Sequence, residues 1–246
     1  MKRLGVNIDH VATVRNAWNE GHPNIIEIAN IVKKSGANSI TIHLREDRRH
    51  IKDSDLKKLC EKKFSINLEI AANMKMLKVA IKNKPKFVCL VPEKRNEITT
   101  EGGLNLRKNY YTIKKIISKL NNNNIRTSLF IDPSINNIVL SKRIGAQCVE
   151  LHTGKISRLI KNNRNFKKEL MKINKCSKIG FESNIEIHAG HGLDYETTKI
   201  LNKIPYITEY NIGHFIVGES IKFGISKVLK KFKRIINIKW IYMVLV

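Results

Sequence analysis

The chain has 246 residues, enough for one large domain or two small ones with a well-buried core. Hydrophobic residues make up 42% of it, with 13 Gly and 5 Pro, which excludes a disordered or collagen-like protein. Lys and Arg total 46 against 21 Asp and Glu, a formal net charge of +25 that suggests a polyanion partner. The lysines are nevertheless dispersed among Asn and Ile along candidate helices, and aromatic residues are only 7%. We therefore expect no specific nucleic-acid surface.

The cysteines and the two ends of the chain bear on its compartment. Cys60, Cys89, Cys148 and Cys176 form no CxxC pair, which disfavours a disulfide or zinc framework. Asp9 and His10 interrupt the stretch where a signal peptide needs its apolar core, and the apolar run 240–246 is far shorter than the roughly 20 residues that cross a bilayer. We expect a cytoplasmic protein that does not enter a membrane.

Eight short apolar, β-branched runs recur along the chain, and each is followed by a polar corner and a segment with helical spacing. The predicted strands are 4–8, 39–44, 65–70, 86–91, 127–131, 148–152, 185–189 and 209–212. The predicted helices are 25–34, 53–62, 73–83, 104–120, 134–144, 166–173, 195–202 and 215–232. Strand and helix therefore alternate eight times.

This alternation predicts an α/β protein with a parallel sheet. Gly36 and Gly145 each follow a predicted helix and precede a strand, as helix-exit glycines do. Eight repeats in a chain of this length favour a closed (β/α)8 TIM barrel. The alternative is an open doubly wound sheet, which would usually have GxGxxG after the first strand, where 7–10 reads NIDH instead. We expect one barrel domain over 1–234 and a C-terminal tail of uncertain role over 235–246.

Reactive side chains cluster where the predicted strands end, which is where a barrel places its active site. They are Asn7, Asp9, His10, His43, Arg45, His50, Glu69, Thr99, Asp132, Glu150, His152, His191 and His214. Nothing comparable is found at the strand starts. The strand exits therefore predict an active site.

Two of these side chains have both a structural and a catalytic interpretation. His43 lies between two apolar residues of a strand, where a histidine is often structural, but its place at a strand exit followed by Arg45 favours catalysis. Glu69 has apolar neighbours, so its carboxylate should be enclosed and its pKa raised, as suits a general base. The alternative for Glu69 is a structural salt bridge to an arginine on the next strand.

Phosphate binding is indicated by the loops after strands two, seven and eight. Residues 44–50 are rich in Arg and His, although a solvated loop with internal ion pairs would have the same composition. The corners at Gly192 and Gly213 follow strands seven and eight, where barrels commonly bind phosphate on glycine amides. Glycines also occur in ordinary turns. Two such corners on adjacent strands favour a phosphate ligand.

Seven motifs between Leu4 and Lys230 occur in the order of one known family. They read GVNIDH (5–10), HLREDRRH (43–50), VPEKR (91–95), TTEGG (99–103), ELHTG (150–154), AGHGL (189–193) and NIGH (211–214). The chain resembles the pyridoxine 5′-phosphate synthase family. The resemblance implies a (β/α)8 barrel with extra helices, no metal or organic cofactor, and a higher homo-oligomer, by family likeness an octamer.

The resemblance also implies the reaction. Two phosphorylated substrates, 1-deoxy-D-xylulose 5-phosphate and 3-amino-2-oxopropyl phosphate, would condense to pyridoxine 5′-phosphate with release of inorganic phosphate and water. His43 and Glu69 would be proton acceptors, His191 the proton donor, and Glu150 the group that stabilises charge in the transition state. The residues implied for the deoxyxylulose phosphate are Asp9, His10, Arg45, His50 and Thr99. Those implied for the amino-ketone phosphate are Asn7, Gly192, Gly213 and His214.

The chain departs from the family pattern at three places. Trp18 stands where the family has an arginine for the amino-ketone phosphate, so Arg15 or a nearby lysine would have to compensate. His188 stands where an asparagine usually precedes Ala189, and the tail 235–246 matches nothing in the family. The segment 95–103, which ends in two glycines, is our candidate for a lid over the site.

Two other functions compete with this reading. Another phosphate-sugar barrel enzyme, a lyase or isomerase, would share the phosphate site but would normally use a Schiff-base lysine or a metal cluster. No predicted strand ends in an obvious lysine nucleophile. A basic nucleic-acid-binding protein would instead place Lys and Arg on one face with aromatic residues between them.

Overall fold

A computed structural model describes residues 1–18, 20–93 and 102–238, in which eight parallel strands close into a single barrel. The strands are β1 (Arg3–Asn7), β2 (Ser39–His43), β3 (Ile66–Ala71), β4 (Phe87–Val91), β5 (Arg126–Ile131), β6 (Cys148–His152), β7 (Glu186–Gly190) and β8 (Ile207–Ile212). The helices are α1 (Asp9–Trp18), α2 (Ile25–Lys34), α3 (Asp53–Glu61), α4 (Met74–Asn83), α5 (Tyr110–Asn122), α6 (Ile135–Ile144), α7 (Gly154–Lys161), α8 (Lys167–Glu182), α9 (Tyr195–Leu201), α10 (His214–Phe223) and α11 (Ile225–Ile236). Each strand pairs with the next in chain order, and β8 closes on β1. The predicted (β/α)8 TIM barrel with extra helices is confirmed.

The helices differ from the prediction in three respects. The sequence analysis missed α1 and α7, which follow strand exits directly and are short, polar segments that resemble loops. The single helix predicted over 215–232 is wrong, because Gly224 takes a left-handed φ of +76° and divides it into α10 and α11. Helix α5 begins only at Tyr110, and α8 continues to Glu182.

Local capping explains several helix ends. The side chain of Asn24 accepts a hydrogen bond from the amide of Ile26 at 2.8 Å and begins α2. Asp194 does the same for α9 through the amide of Thr197 at 2.8 Å. Gly145 ends α6 with a left-handed φ of +94°, as predicted from its place before a strand.

The two faces of each strand have different environments. Residues that point toward the helices form the large apolar core, to which β3 contributes Ile66, Leu68 and Ile70. The alternate residues of β3, Asn67 and Glu69, point into the barrel because side chains of a strand alternate between its faces. The barrel interior is therefore largely polar, and the polar side chains nearest the ends of the strands are available for chemistry.

The lower end of the barrel, where the strands begin, contains a partly buried ion-pair network. Arg3 on β1 donates to Glu209 at 2.6 Å and also to Glu186, and Arg126 lies 2.8 Å from Glu186. The ligand atoms of Cys148, Glu186 and His188 lie close enough together to hold a metal ion. Both oxygens of Glu186 are already bound by the arginines, so we interpret this group as an ion-pair network.

The C-terminal helix continues past the predicted domain boundary. Helix α11 extends to Ile236, whose side chain is buried, beyond residue 234 where we place the end of the barrel domain. Residues 239–246 of the predicted tail lie outside the described residues. Among the described residues, none of the helices has both the length and the apolar character to span a bilayer.

Candidate active site

A cavity of about 330 Å³ opens at the end of the barrel where the strands finish. The predicted site residues that line it are Asn7, Asp9, His10, His43, Arg45, His50, Glu69, Glu150, His191, Gly192, Gly213 and His214. They come from the ends of six different strands and the loops that follow, so the parallel barrel brings together residues up to two hundred positions apart. Thr99, the remaining predicted site residue, lies outside the described residues.

His43 and Glu69 are neighbours on β2 and β3. They are register partners in the sheet, and Nδ1 of His43 lies 4.0 Å from Oε2 of Glu69. Burial raises the pKa of Glu69 well above its usual range, and the negative charges of Glu150 and Asp9 raise it further. The predicted enclosure of this carboxylate is thus observed, and its close contact is with a histidine rather than with an arginine.

Asp9, just after β1, is hydrogen-bonded to the end of β2. One of its oxygens accepts from the backbone amide of His43 at 2.9 Å, and the other accepts from the side-chain amide of Asn7 at 2.8 Å. Burial raises the pKa of Asp9, although His43, Asn7 and Arg45 oppose that shift. Asp9 therefore fixes the backbone position of His43.

Glu150 lies inside the barrel, on β6. Its Oε2 accepts a hydrogen bond from the side-chain amide of Asn211 at 2.6 Å. Burial raises the pKa of Glu150 to about 7, against the opposing effects of His188 and Asn211. Gly190 on the adjacent strand packs directly on this carboxylate, and a Cβ there would overlap Oε1. A glycine at this position is what leaves room for Glu150.

His191 has an unusual backbone and a perturbed side chain. Its φ of +75° is left-handed, and Thr153 fixes that backbone by donating to the carbonyl oxygen of His191 at 2.7 Å. Burial lowers the pKa of His191 to about 4, and the nearby charges of His152, Arg158 and Lys161 lower it further. The imidazole is therefore neutral at pH 7 in the absence of a ligand.

A second group of polar side chains surrounds the start of α10. The rings of His10 and His214 pack edge to face with centroids 4.9 Å apart, and His10 and His50 are 6.2 Å apart. Burial lowers the pKa of His50 to about 4, with the charges of His10 and Arg49 adding to the shift. Helix α10 begins after Gly213, a residue that has no side chain to cap the first amides of the helix. A helix N-terminus of this kind attracts anions.

Comparisons with known proteins agree with this geometry. A family profile described as pyridoxal phosphate biosynthesis protein PdxJ matches residues 4–238. A pyridoxine 5′-phosphate synthase of Pelagibacter ubique is 61% identical over 238 residues, covering 96% of this chain and 100% of the relative. One from Ehrlichia chaffeensis is 49% identical over 234 residues, covering 95% and 96%. The chain belongs to the pyridoxine 5′-phosphate synthase family.

The solved structures extend the comparison of the fold. N-(5'-phosphoribosyl)anthranilate isomerase from Pyrococcus furiosus superposes with a TM-score of 0.62 at 12% identity, covering 96% of this chain and 99% of that one. At that identity the likeness concerns the barrel alone. The pyridoxine 5′-phosphate synthase family therefore uses a barrel architecture that other enzymes share.

Two polar residues of the cavity region were not singled out by the sequence analysis. Glu93, just after β4, lies 3.7 Å from Nε2 of His43, and Lys161, at the end of α7, lines the cavity beside Gly192. Glu93 is part of the VPEKR motif that we associated with the pyridoxine 5′-phosphate synthase family, so a signal existed. Lys161 belongs to a helix that was not predicted, and no pattern marked it.

The structure shows what surrounds the residues at which the chain departs from the family pattern. Trp18 is 80% exposed and does not line the cavity. Arg15 is held by Asp55 through two hydrogen bonds of 2.7 and 2.9 Å, so it is not free to compensate for the family arginine. His188 points to the lower end of the barrel, where it bonds Glu186 at 2.7 Å. Residues 95–101 of the predicted lid lie outside the described residues.

Proposed function

We propose that the chain condenses 1-deoxy-D-xylulose 5-phosphate with 3-amino-2-oxopropyl phosphate to form pyridoxine 5′-phosphate, releasing inorganic phosphate and water. The observation that carries this proposal is one cavity holding proton-transfer groups from four strands beside two glycine corners. Schiff-base formation, enolisation, elimination and ring closure each move protons, so the reaction needs several acids and bases around one enclosed space.

The buried carboxylates divide the proton chemistry between them. Glu69 and His43 act as proton acceptors on β2 and β3. Nδ1 of His43 lies 4.0 Å from Oε2 of Glu69, so an approach of about 1 Å lets a proton pass from one to the other. Glu150, whose pKa is raised to about 7, stabilises positive charge that develops on the nitrogen of the condensing substrates. A raised pKa makes each carboxylate a stronger base when it is ionised.

His191 acts as the proton donor once substrate is bound. Its pKa is lowered first by burial and then by positive neighbours, among them Arg158 and Lys161. A phosphate dianion bound beside those cations offsets their charge and raises the pKa of His191 toward its ordinary value. Protonation of His191 is thereby coupled to the arrival of the phosphorylated substrate.

The two phosphates bind in adjoining parts of the cavity, since Asn7 donates to Asp9 at 2.8 Å and the rings of His10 and His214 pack together. The deoxyxylulose phosphate contacts Asp9, His10, Arg45, His50 and Thr99. The amino-ketone phosphate contacts Asn7, Gly192, Gly213 and His214, where the amides at the start of α10 attract its charge. The net charge of +25 attracts both dianions toward the barrel and raises their local concentration.

One incubation tests the function and the proton donor together. Purified protein receives both substrates, and pyridoxine 5′-phosphate is followed by mass together with released phosphate. We expect product from the wild type and a decrease in kcat of about 10²- to 10⁴-fold in His191→Asn, the usual contribution of a positioned acid. His22→Asn, at an exposed position, is the matched control. Folded wild-type protein that makes no product contradicts the proposal.

Lys161 is expected to help bind the amino-ketone phosphate. Its Nζ lies 3.1 Å from the carbonyl oxygen of Gly192 and 3.6 Å from Asp194. Lys161→Ala should raise the KM for that substrate about tenfold with little change in kcat, because a hydrogen bond to a charged group contributes about 1.5–3 kcal/mol and this lysine is half exposed. Lys168→Ala removes the same charge from an exposed position on α8 and is the control. An unchanged KM would exclude Lys161 from the phosphate site.

We also propose that the enzyme is a cytoplasmic homo-oligomer. Helices α1 and α10 pack together, and each exposes large apolar side chains: Val14 and Trp18 on α1, Ile221 and Phe223 on α10. Apolar groups of this size on adjacent helices are typical of an interface. The four cysteines are free thiols, which supports a reducing compartment. Sedimentation velocity on the purified chain measures the assembly directly.

A further inference from the structure

Glu93 is a buried carboxylate with a fixed position beside the cavity. Its side chain is only 4% exposed, and its Oε1 accepts a hydrogen bond from the backbone amide of Glu46 at 2.8 Å. That bond joins the loop after β2 to the end of β4. Glu93 is therefore held by the backbone of the same loop that follows His43.

The second oxygen of Glu93 faces the imidazole of His43. Oε2 lies 3.7 Å from Nε2 of His43, while Nδ1 of the same ring lies 4.0 Å from Glu69. Both Nε2 of His43 and Oε2 of Glu93 are fully buried, and neither has a hydrogen-bond partner among the described residues. Buried polar atoms are nearly always paired, so these two atoms are natural partners across a gap that a shift of about 1 Å closes.

We infer that Glu93 is a positioning residue that holds the proton of His43 on Nε2 and leaves Nδ1 free to exchange protons with Glu69 and the substrate. The inference deepens the proposed function and rests on it. A carboxylate that accepts from one imidazole nitrogen fixes the tautomer and the orientation of the ring, and makes the other nitrogen the reactive one. Glu93 would thus act through His43 without touching the substrate.

Among the described groups around His43, Glu93 is the one suited to accept a hydrogen bond from Nε2. The titratable and charged groups that face it from the packed elements are Asp9, Arg45, His50, Glu69 and Glu93. Asp9 binds the backbone amide of His43 rather than the ring. Burial works to raise the pKa of Glu93, but His43 and the amide of Glu46 outweigh it and lower that pKa, whereas the pKa of Glu69 is raised. Its lowered pKa favours the anionic form of Glu93, which can accept a hydrogen bond from Nε2 of His43.

The test uses Glu93→Gln in the full-length chain. We expect kcat to fall about 100-fold, the effect of misplacing a reacting group by about 1 Å, with the KM of both substrates within about twofold of wild type. Glu93→Asp should recover part of kcat, because it restores an acceptor of the same charge. Glu61→Gln removes an exposed carboxylate at the end of α3, away from the site, and should behave as wild type.

Histidine NMR on the substrate-free protein provides a readout that does not need turnover. With the His43 signal assigned from a His43→Gln spectrum, Glu93→Gln should change the tautomer of His43. An unchanged tautomer would overturn the inference even if kcat fell, because Glu93 would then act only as a loop anchor. If the wild type makes no product but His43 responds as expected, the proposed function fails and the positioning role stands.

Discussion

Glu69→Gln is expected to lower kcat by about 10²- to 10⁴-fold, because it removes a positioned base while keeping its size and its hydrogen-bonding capacity. The same change should leave the free energy of unfolding at pH 7 unchanged or increased. The pKa of Glu69 is raised in the folded chain, first by burial and then by Glu150 and Asp9, so the folded state binds protons more tightly than the unfolded state. Its contribution to stability therefore becomes unfavourable as pH rises above the ordinary carboxyl pKa, and glutamine removes that cost.

The measurement pairs steady-state kinetics with urea unfolding on the same preparations. Glu61→Gln, at an exposed position near the end of α3, controls for the loss of one carboxylate. Lower activity with equal or higher stability identifies Glu69 as a functional group held at a cost in stability. A parallel loss of both would instead favour a structural role for its contact with His43.

The strand positions were predictable because each strand carries its own signal. A run such as 66–71 buries apolar side chains against the helices, which selects apolar residues at every second position, and Glu69 stands out as polar within it. The same pattern places Glu69 inside the barrel, near the strand end where catalytic groups gather. The principal acid–base candidates could therefore be identified before any coordinates.

The contacts between side chains on different strands were not predictable from local sequence. The bond from the amide of Glu46 to Glu93 spans 47 positions, and the one from Asn211 to Glu150 spans 61. Nothing in the residues around 93 indicates that its carboxylate faces His43, because that contact depends on the register of the barrel. Lys161 was missed for a different reason, since its short helix begins at Gly154, a poor helix former.

The two ends of the barrel use buried charge in opposite ways. At the mouth, Glu69, Glu150 and Asp9 all have a raised pKa because their burial is incompletely compensated. At the lower end, Glu186 is surrounded by Arg3 and Arg126, and its pKa is lowered despite its burial. Carboxylates with a raised pKa are candidates for proton transfer, whereas we expect the compensated Glu186 to contribute to stability.

Glu186→Gln is expected to lower the free energy of unfolding by about 1–2 kcal/mol, between the values for exposed and buried ion pairs, because its arginine partners are a third exposed. It leaves Arg3, Arg126 and a charged His188 with Glu209 as their remaining carboxylate in the network. Activity per folded molecule should stay within about twofold, because Glu186 is at the end of the barrel away from the cavity. Glu182→Gln, exposed at the end of α8, is the control.

The pH dependence of unfolding distinguishes this network from a simple packing effect. Burial lowers the pKa of His188, but Glu209, Cys148 and Glu186 outweigh it and raise the pKa to about 10, so the stability it contributes is complete below 6.5 and lost as pH rises toward 10. The contribution of Glu186, whose pKa is lowered, is present above its ordinary value and lost as pH falls. In Glu186→Gln, urea unfolding from pH 5 to 10 should show an alkaline loss that is smaller and complete at a lower pH, because the pKa of folded His188 is less raised without Glu186. A variant with the same stability and pH profile as wild type would mean that the arginines and His188 are satisfied without this carboxylate.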